Sequence, residues 1–180
     1  MTLSLVDPID WTSLTERIDE EYGEGVTKSL LGNRVPAVLK KGKNETIFLI
    51  PTEWMSHATE EGERLDIQFI GKELGSISKG KLRLSLQILD ELKELTDKTI
   101  IVTKHAAEAF TYGRSILKES VLELNPELKR GQRVLVLNEN RECLGLASLS
   151  IDGNRLKRLG KEKLVAKNLV DIGWFIRRLG

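Results

Sequence analysis

The densest chemistry in the sequence is the run Gly153-Asn154-Arg155-Leu156-Lys157-Arg158-Leu159-Gly160-Lys161-Glu162-Lys163, with Lys167 just beyond it. It sets Arg155, Lys157, Arg158, Lys161 and Lys163 against one acid, Glu162. Guanidinium forks and ammonium groups on long side chains suit phosphate oxygens, and the two glycines let the backbone fold closely. A charge run is ordinarily a solvated loop. Leu156, Leu159 and Leu164 argue for a segment anchored on its domain, which would gather the cations on one surface. A second basic pair, Arg177 and Arg178, follows Trp174-Phe175-Ile176. Aromatics beside arginines can stack on bases, although the alternation of Trp174 and Ile176 with Phe175 favours a core role for at least one face.

His57, His105 and Cys143 are the residues that invite an enzymatic reading, because a Cys–His pair can make an activated nucleophile. The sequence offers neither an orienting third group nor a nucleophile context such as G-x-S-x-G. Cys143 falls in an apolar strand, where a thiol behaves as a small buried hydrophobe. One cysteine and two histidines leave too few soft ligands for a zinc site. No nucleotide-binding glycine loop is present, and no carboxylate pair is marked as catalytic by its spacing. The expectation is a protein with no metal, no organic cofactor and no catalytic residues.

The elements that must position the basic run come from hydrophobic periodicity. Ser13 and Glu16 have capping-box spacing, and Trp11, Leu14, Ile18 and Tyr22 share one face, predicting a helix over 11–22. Arg34–Leu39 and Glu45–Ile50 read as a hairpin around Lys41-Gly42-Lys43-Asn44. A polar, helix-compatible stretch around 52–61 follows, then strands from the alternations Leu65, Ile67, Phe69 and Leu82, Leu84, Leu86, then a helix over 87–95. This order favours an α+β domain with a mainly antiparallel sheet over a doubly wound one. After Thr99-Ile100-Ile101-Val102-Thr103 and a short helix from His105 to Phe110, the chain turns to short strands: 134–137, 143–149, 163–167 and 172–176. Many short strands within about 80 residues suggest a small barrel that closes its own edges.

With 180 residues the chain can form one large domain or two small ones, and its charge decides for two. Residues 1–97 carry 12 Lys/Arg against 18 Asp/Glu, whereas 98–180 carry 16 against 9. An acidic half precedes a basic half, as expected if the second meets a polyanion and the first docks a protein. The boundary is expected near Thr96 to Thr99, giving domains 1–97 and 98–180. No stretch approaches the roughly 18 apolar residues of a membrane span, and Asp7 and Pro8 arrive before a signal-peptide core could form. Neither secretion nor membrane insertion is expected.

The stretch Phe110-Thr111-Tyr112-Gly113-Arg114-Ser115-Ile116-Leu117-Lys118, preceded by Lys104 and Ala107-Glu108, resembles an element of the Nip-seven family, large-ribosomal-subunit assembly factors of archaea and eukaryotes. Gly113 to Val121, Lys129-Arg130-Gly131-Gln132-Arg133-Val134-Leu135-Val136, Leu144-Gly145-Leu146-Ala147 and Asn168-Leu169-Val170-Asp171-Ile172-Gly173 resemble a PUA domain, a small RNA-binding pseudo-barrel. Gly71-Lys72 followed by Gly80-Lys81-Leu82-Arg83-Leu84 is similar to a further element of that family. The resemblance implies an archaeal-like, non-catalytic factor in pre-rRNA processing and large-subunit assembly. In it an N-terminal α/β domain would hold assembly or RNA-processing proteins, and a C-terminal PUA pseudo-barrel would hold RNA. It also adds Arg114 and Lys118 to the RNA-binding candidates, because the matching loop near the PUA glycine commonly approaches RNA. The protein would be monomeric alone and cytoplasmic, or nuclear or nucleolar in a eukaryote. Two other readings stay open: an RNA-modifying enzyme using the PUA domain as its substrate grip, and a protein-interaction adaptor.

Overall fold

The computed structural model describes residues 2–56, 69–78, 80–174 and 177, and the chain divides into two units, 1–92 and 93–180. In the first unit, Asp7 accepts a 2.8 Å hydrogen bond from the Ile9 backbone N–H, and Pro8 opens the first turn of α1 (Pro8–Tyr22). The helix thus begins earlier than the Ser13–Glu16 box suggested, because an aspartate cap followed by proline's fixed φ outcompetes an internal serine. Leu14, Ile18 and Tyr22 are buried as the spacing predicted, and Gly23 ends the helix. A short α2 (Val26–Leu31) follows directly.

The expected hairpin forms from β2 (Arg34–Lys41) and β3 (Asn44–Pro51), with Lys41 paired to Asn44 across the two-residue turn. The antiparallel sheet has the order β1-β2-β3-β4-β5, adding β1 (Thr2–Leu5), β4 (Lys72–Ser78) and β5 (Lys81–Leu84). Ala37, Val38 and Leu39 on β2 and the run Ile47–Ile50 on β3 are all buried, so these two strands are covered on both faces. One face gathers Leu3, Ala37, Leu39, Phe48, Ile50 and Ile70. Leu86, read as continuing the strand alternation, instead begins α3 (Leu86–Leu92), which buries Ile88, Leu89 and Leu92. Of the strand expected at 65–69, Leu65 and Ile67 lie outside the described residues, and Phe69 is exposed in irregular backbone. Of the stretch expected around 52–61, Thr52–Trp54 form a 3-10 turn and 57–61 lie outside the described residues.

The second unit begins with β6 (Thr99–Val102) and α4 (Lys104–Thr111), whose cap is the Thr103 hydroxyl accepting from Ala106 N–H. Then come β7 (Ile116–Leu117), β8 (Val121–Leu124), β9 (Arg133–Leu137), β10 (Cys143–Leu149) and β11 (Leu164–Asp171). The sheet order is β7-β11-β10-β9-β6-β8, antiparallel except for the β6–β9 pair. Its two outermost strands, β7 and β8, are consecutive in the chain and joined by the three-residue 3-10 turn Lys118–Ser120. A connection that short forces the sheet to curl until its edges nearly meet, making a pseudo-barrel. The barrel closes over Ile100, Val102, Phe110, Val134, Val136 and Val165, among others. The strand expected over 172–176 does not form in its described part: Ile172 and Gly173 turn the chain and Trp174 is helical. Buried Asp171 is the last residue of β11.

Candidate RNA interface

The basic run is built on a three-residue period. Gly153–Arg158 is a 3-10 helix, in which residues three apart eclipse one another. Gly153 and Leu156 therefore fall in one row, and that row faces the barrel: Gly153 is buried, and Leu156 packs against the core, as does Leu159, the extended residue that ends the helix. Gly153 donates to the Leu128 carbonyl at 2.8 Å, and any Cβ at this position would collide with the Asn125 carbonyl. With that row pinned, Arg155, Lys157 and Arg158 are left exposed on the outer rows.

The following loop is fixed by backbone hydrogen bonds. Lys118 N–H donates to the Lys163 carbonyl at 2.9 Å, and Glu119 N–H donates to the Lys161 carbonyl at 3.0 Å. These bonds bring half-buried Lys118 against the loop that exposes Lys161 and Lys163. Arg114 is not in this group. β7 pairs with β11 so that Ser115 Oγ accepts from Asn168 N–H, whereas Leu117 faces Leu164. Arg114 thus sits at the opposite end of β7 from Lys118.

Two cations that sequence reasoning passed over join the surface. Asp152 Oδ1 accepts from the Arg130 backbone N–H at 3.0 Å, and Asp152 Oδ2 lies 3.4 Å from Arg155 Nε. The exposed Lys129-Arg130 turn is thereby held beside the start of the 3-10 helix. Their adjacency depends on a contact between residues 22 apart in sequence, which no local pattern reveals. Among the described residues, Lys157, Arg158, Lys161 and Lys163 form no ion pair with an acid. A groove of about 600 Å³ opens beside Lys157, lined also by Thr99, Leu124, Asn125 and Arg141.

Arg177 has a different role from the one its position suggested. Its guanidinium makes two 2.9 Å bonds to the carboxylate of buried Asp171 and donates to the Thr111 carbonyl. The Asp171 hydrogen bond raises its pKa further, so it stays charged as a structural clasp. Arg178 lies outside the described residues. Of the residues that invited an enzymatic reading, His57 also lies outside them, His105 is exposed on α4, and Cys143 is half-buried at the start of β10. Of the segment expected to turn at least one face to the core, Trp174 is about one-third exposed, and Phe175 and Ile176 lie outside the described residues.

Comparison with known proteins agrees with this architecture. Residues 98–180 match the family model described as the UPF0113 PUA domain. Similar solved structures include a hypothetical protein of Pyrococcus horikoshii, with TM-score 0.66 and 14% identity over 94% of this chain and 93% of that one. A conserved PUA domain protein of Thermoplasma acidophilum has TM-score 0.64 and 11% identity over 99% and 100%. A PUA domain protein of Aeropyrum pernix, solved as a tartrate complex, has TM-score 0.64 and 15% identity over 95% and 86%. These identities speak for the fold. No curated protein matches the sequence. The surface that exposes Arg155, Lys157, Arg158, Lys161 and Lys163 therefore belongs to a PUA domain, a module that generally binds RNA.

Proposed function

We propose that this protein is a non-catalytic RNA-binding factor of the kind that assists pre-rRNA processing and large-subunit assembly. The C-terminal PUA domain grips RNA phosphates, and the acidic N-terminal unit docks assembly proteins. The observation that carries this reading is the 3-10 helix, whose inward Gly153 and Leu156, with Leu159 packed just beyond its end, leave Arg155, Lys157 and Arg158 turned outward beside Lys161, Lys163 and Lys118. A fixed display of cations suits a polyanion whose charges are regularly spaced. Several charged groups of the N-terminal unit serve its own structure. In its cleft of about 400 Å³, Lys40 pairs with Glu45 at 3.1 Å and Arg17 donates to the Gly80 carbonyl at 2.8 Å. That favours binding over the alternative of base modification. No helix among the described residues is long and apolar enough to cross a membrane.

The test is RNA affinity as a function of salt. Five phosphate contacts give a log–log slope of about −3 to −4 for single-stranded RNA. Cross-linking in cells, followed by sequencing of the bound fragments, tests the assembly role. Large-subunit rRNA precursors are the expected catch. Recovery of other RNAs, or modification of a base by the purified protein, would overturn it.

A further inference from the structure

Tyr112 is an aromatic side chain left 75% exposed at the end of α4, yet the backbone that carries it is fastened from several sides. Tyr112 N–H donates to the Ala109 carbonyl at 3.1 Å, Gly113 N–H to Phe110 at 2.9 Å and Arg114 N–H to Ala109 at 3.1 Å. From beneath, Asn168 Nδ2 donates to the Phe110 carbonyl at 2.9 Å and to buried Asp171 at 3.1 Å. The Arg177 guanidinium, clasped to Asp171, bonds the Thr111 carbonyl and lies against Gly113. Gly173 is packed so closely on the same Thr111 carbonyl that no Cβ fits, which brings Trp174 to this end of the barrel. A fastened backbone that carries a tyrosine ring into water lowers the cost of stacking, since only the ring's own rotamers remain to be ordered when a ligand arrives.

We propose that Tyr112, with the exposed guanidinium of Arg114 two residues on, forms the seat of one unpaired nucleobase of RNA. This rests on the RNA-binding reading above and adds to it a contact of a different kind. The ring offers a face to a base, and Arg114 offers its fork to the adjoining phosphate. Charge favours RNA over an apolar protein segment: from Arg114 the two-residue strand β7 leads to Lys118 and on to Lys161 and Lys163, so a strand seated on Tyr112 continues onto the basic surface.

The experiment uses the full chain and a single-stranded RNA carrying 2-aminopurine, with Tyr112→Ala and Tyr112→Phe compared. Because the side chain is exposed, both variants should melt as the wild type does. Tyr112→Ala should weaken single-strand binding roughly 5- to 100-fold, the range for one base–aromatic stack, and abolish the 2-aminopurine quenching. Its salt slope should stay unchanged, because no cation is lost. Tyr112→Phe should keep both affinity and quenching. If the wild type binds RNA and Tyr112→Ala binds equally well, the nucleobase seat is wrong and the basic surface stands. Loss of a protein partner with RNA affinity intact would overturn it likewise. If the wild type binds no RNA at any salt, the RNA-binding reading itself fails.

Discussion

Two groups of cations, one in each unit, are used in opposite ways. In the N-terminal unit, Arg34 and Lys72 converge on Glu91 at 2.6 and 2.7 Å, linking β2 and β4 to α3, and Lys40 reaches Glu45. Arg34 also donates to the Leu30 and Leu31 carbonyls at the end of α2. These charges serve as internal fasteners. In the C-terminal unit, Lys157, Arg158, Lys161 and Lys163 stand exposed on a backbone whose own hydrogen bonds and leucines hold it without their help. The difference teaches that the placement of a charge, more than the count, separates a polyanion-binding surface from a structural one.

The largest expected effect tests that contrast directly. Replacing Arg155, Lys157, Arg158, Lys161 and Lys163 together with Ala should lower RNA affinity on the order of a thousandfold near 0.1 M salt and flatten the slope by about 3 to 4 units. The triple change of Lys40, Lys41 and Lys43 to Ala in the N-terminal unit should alter affinity only a few-fold. Titration of both variants by fluorescence anisotropy decides the matter. If the triple variant fails and the quintuple one binds normally, the comparison is inverted. Neither should move stability much, since exposed charges typically contribute less than about 0.5 kcal/mol each.

How much of this was legible depended on the kind of signal. The 34–51 hairpin and the 133–149 strand pair carry period-two patterns around turn residues, and both are where the sequence puts them. β4 was hidden because Gly75, Ser76 and Ser78 have weak strand preference, and neighbours on both sides pair it regardless. At six residues, α2 is too short to show a period. In the candidate site, the leucines of 153–159 announced anchoring, and their three-residue spacing with Gly153 is the trace of a 3-10 helix that a search for a 3.6-residue period passes over. The clasp of Arg177 to Asp171 was not legible, because nothing local says that Asp171 is buried. Lys129 and Arg130 reach the surface only through Asp152, far along the chain.

The Glu91 network offers a mid-sized test of the N-terminal side. The Arg34 hydrogen bond, opposed by partial burial and reinforced by Lys72, holds the Glu91 carboxyl below its ordinary value of 4.5. A lowered acid contributes stability that is fully present above the unfolded pKa and is lost as pH falls through the folded one. Glu91→Gln should therefore cost about 1 to 2 kcal/mol at pH 7, after allowance for solvent screening of side chains about one-third exposed, and nothing once the wild-type group is protonated. Denaturant melts at several pH values measure this. An equal loss at pH 7 and in acid would mean that the network's charge is irrelevant.

Glu73 should behave with the opposite sign. It faces Phe48 across β3–β4, and burial pushes its carboxyl above 4.5. The folded state then holds the proton more readily than the unfolded one, so stability falls as pH rises from 4.5 through the raised value. Glu73→Gln should gain about 0.5 kcal/mol at pH 7, a small figure because the group is still partly solvated. In the same melts, a variant less stable than the wild type at pH 7 would show that the Glu73 charge has a favourable partner.

The smallest effect sharpens the comparison within the C-terminal unit. Arg141 is the one non-glycine residue with positive φ among the described residues, at 62°, in the turn between β9 and β10. An L-residue there pays a steric cost of roughly 1 kcal/mol, which Gly avoids while losing some chain entropy. The 3.4 Å contact of Arg141 with Glu123 joins two exposed side chains and offsets little of this. Arg141→Gly should thus raise stability by about 0.5 kcal/mol. The Lys93 bond to the Arg141 carbonyl, 3.0 Å long, survives because it belongs to the backbone. The substitution also removes a cation from the basic unit, one whose field Glu123 already cancels. RNA affinity and salt slope should stay at wild-type values, whereas removing Arg158 should flatten the slope by about 0.7. If Arg141→Gly flattened it as much, net charge alone would govern binding, and the distinction between fastened and displayed cations would fail.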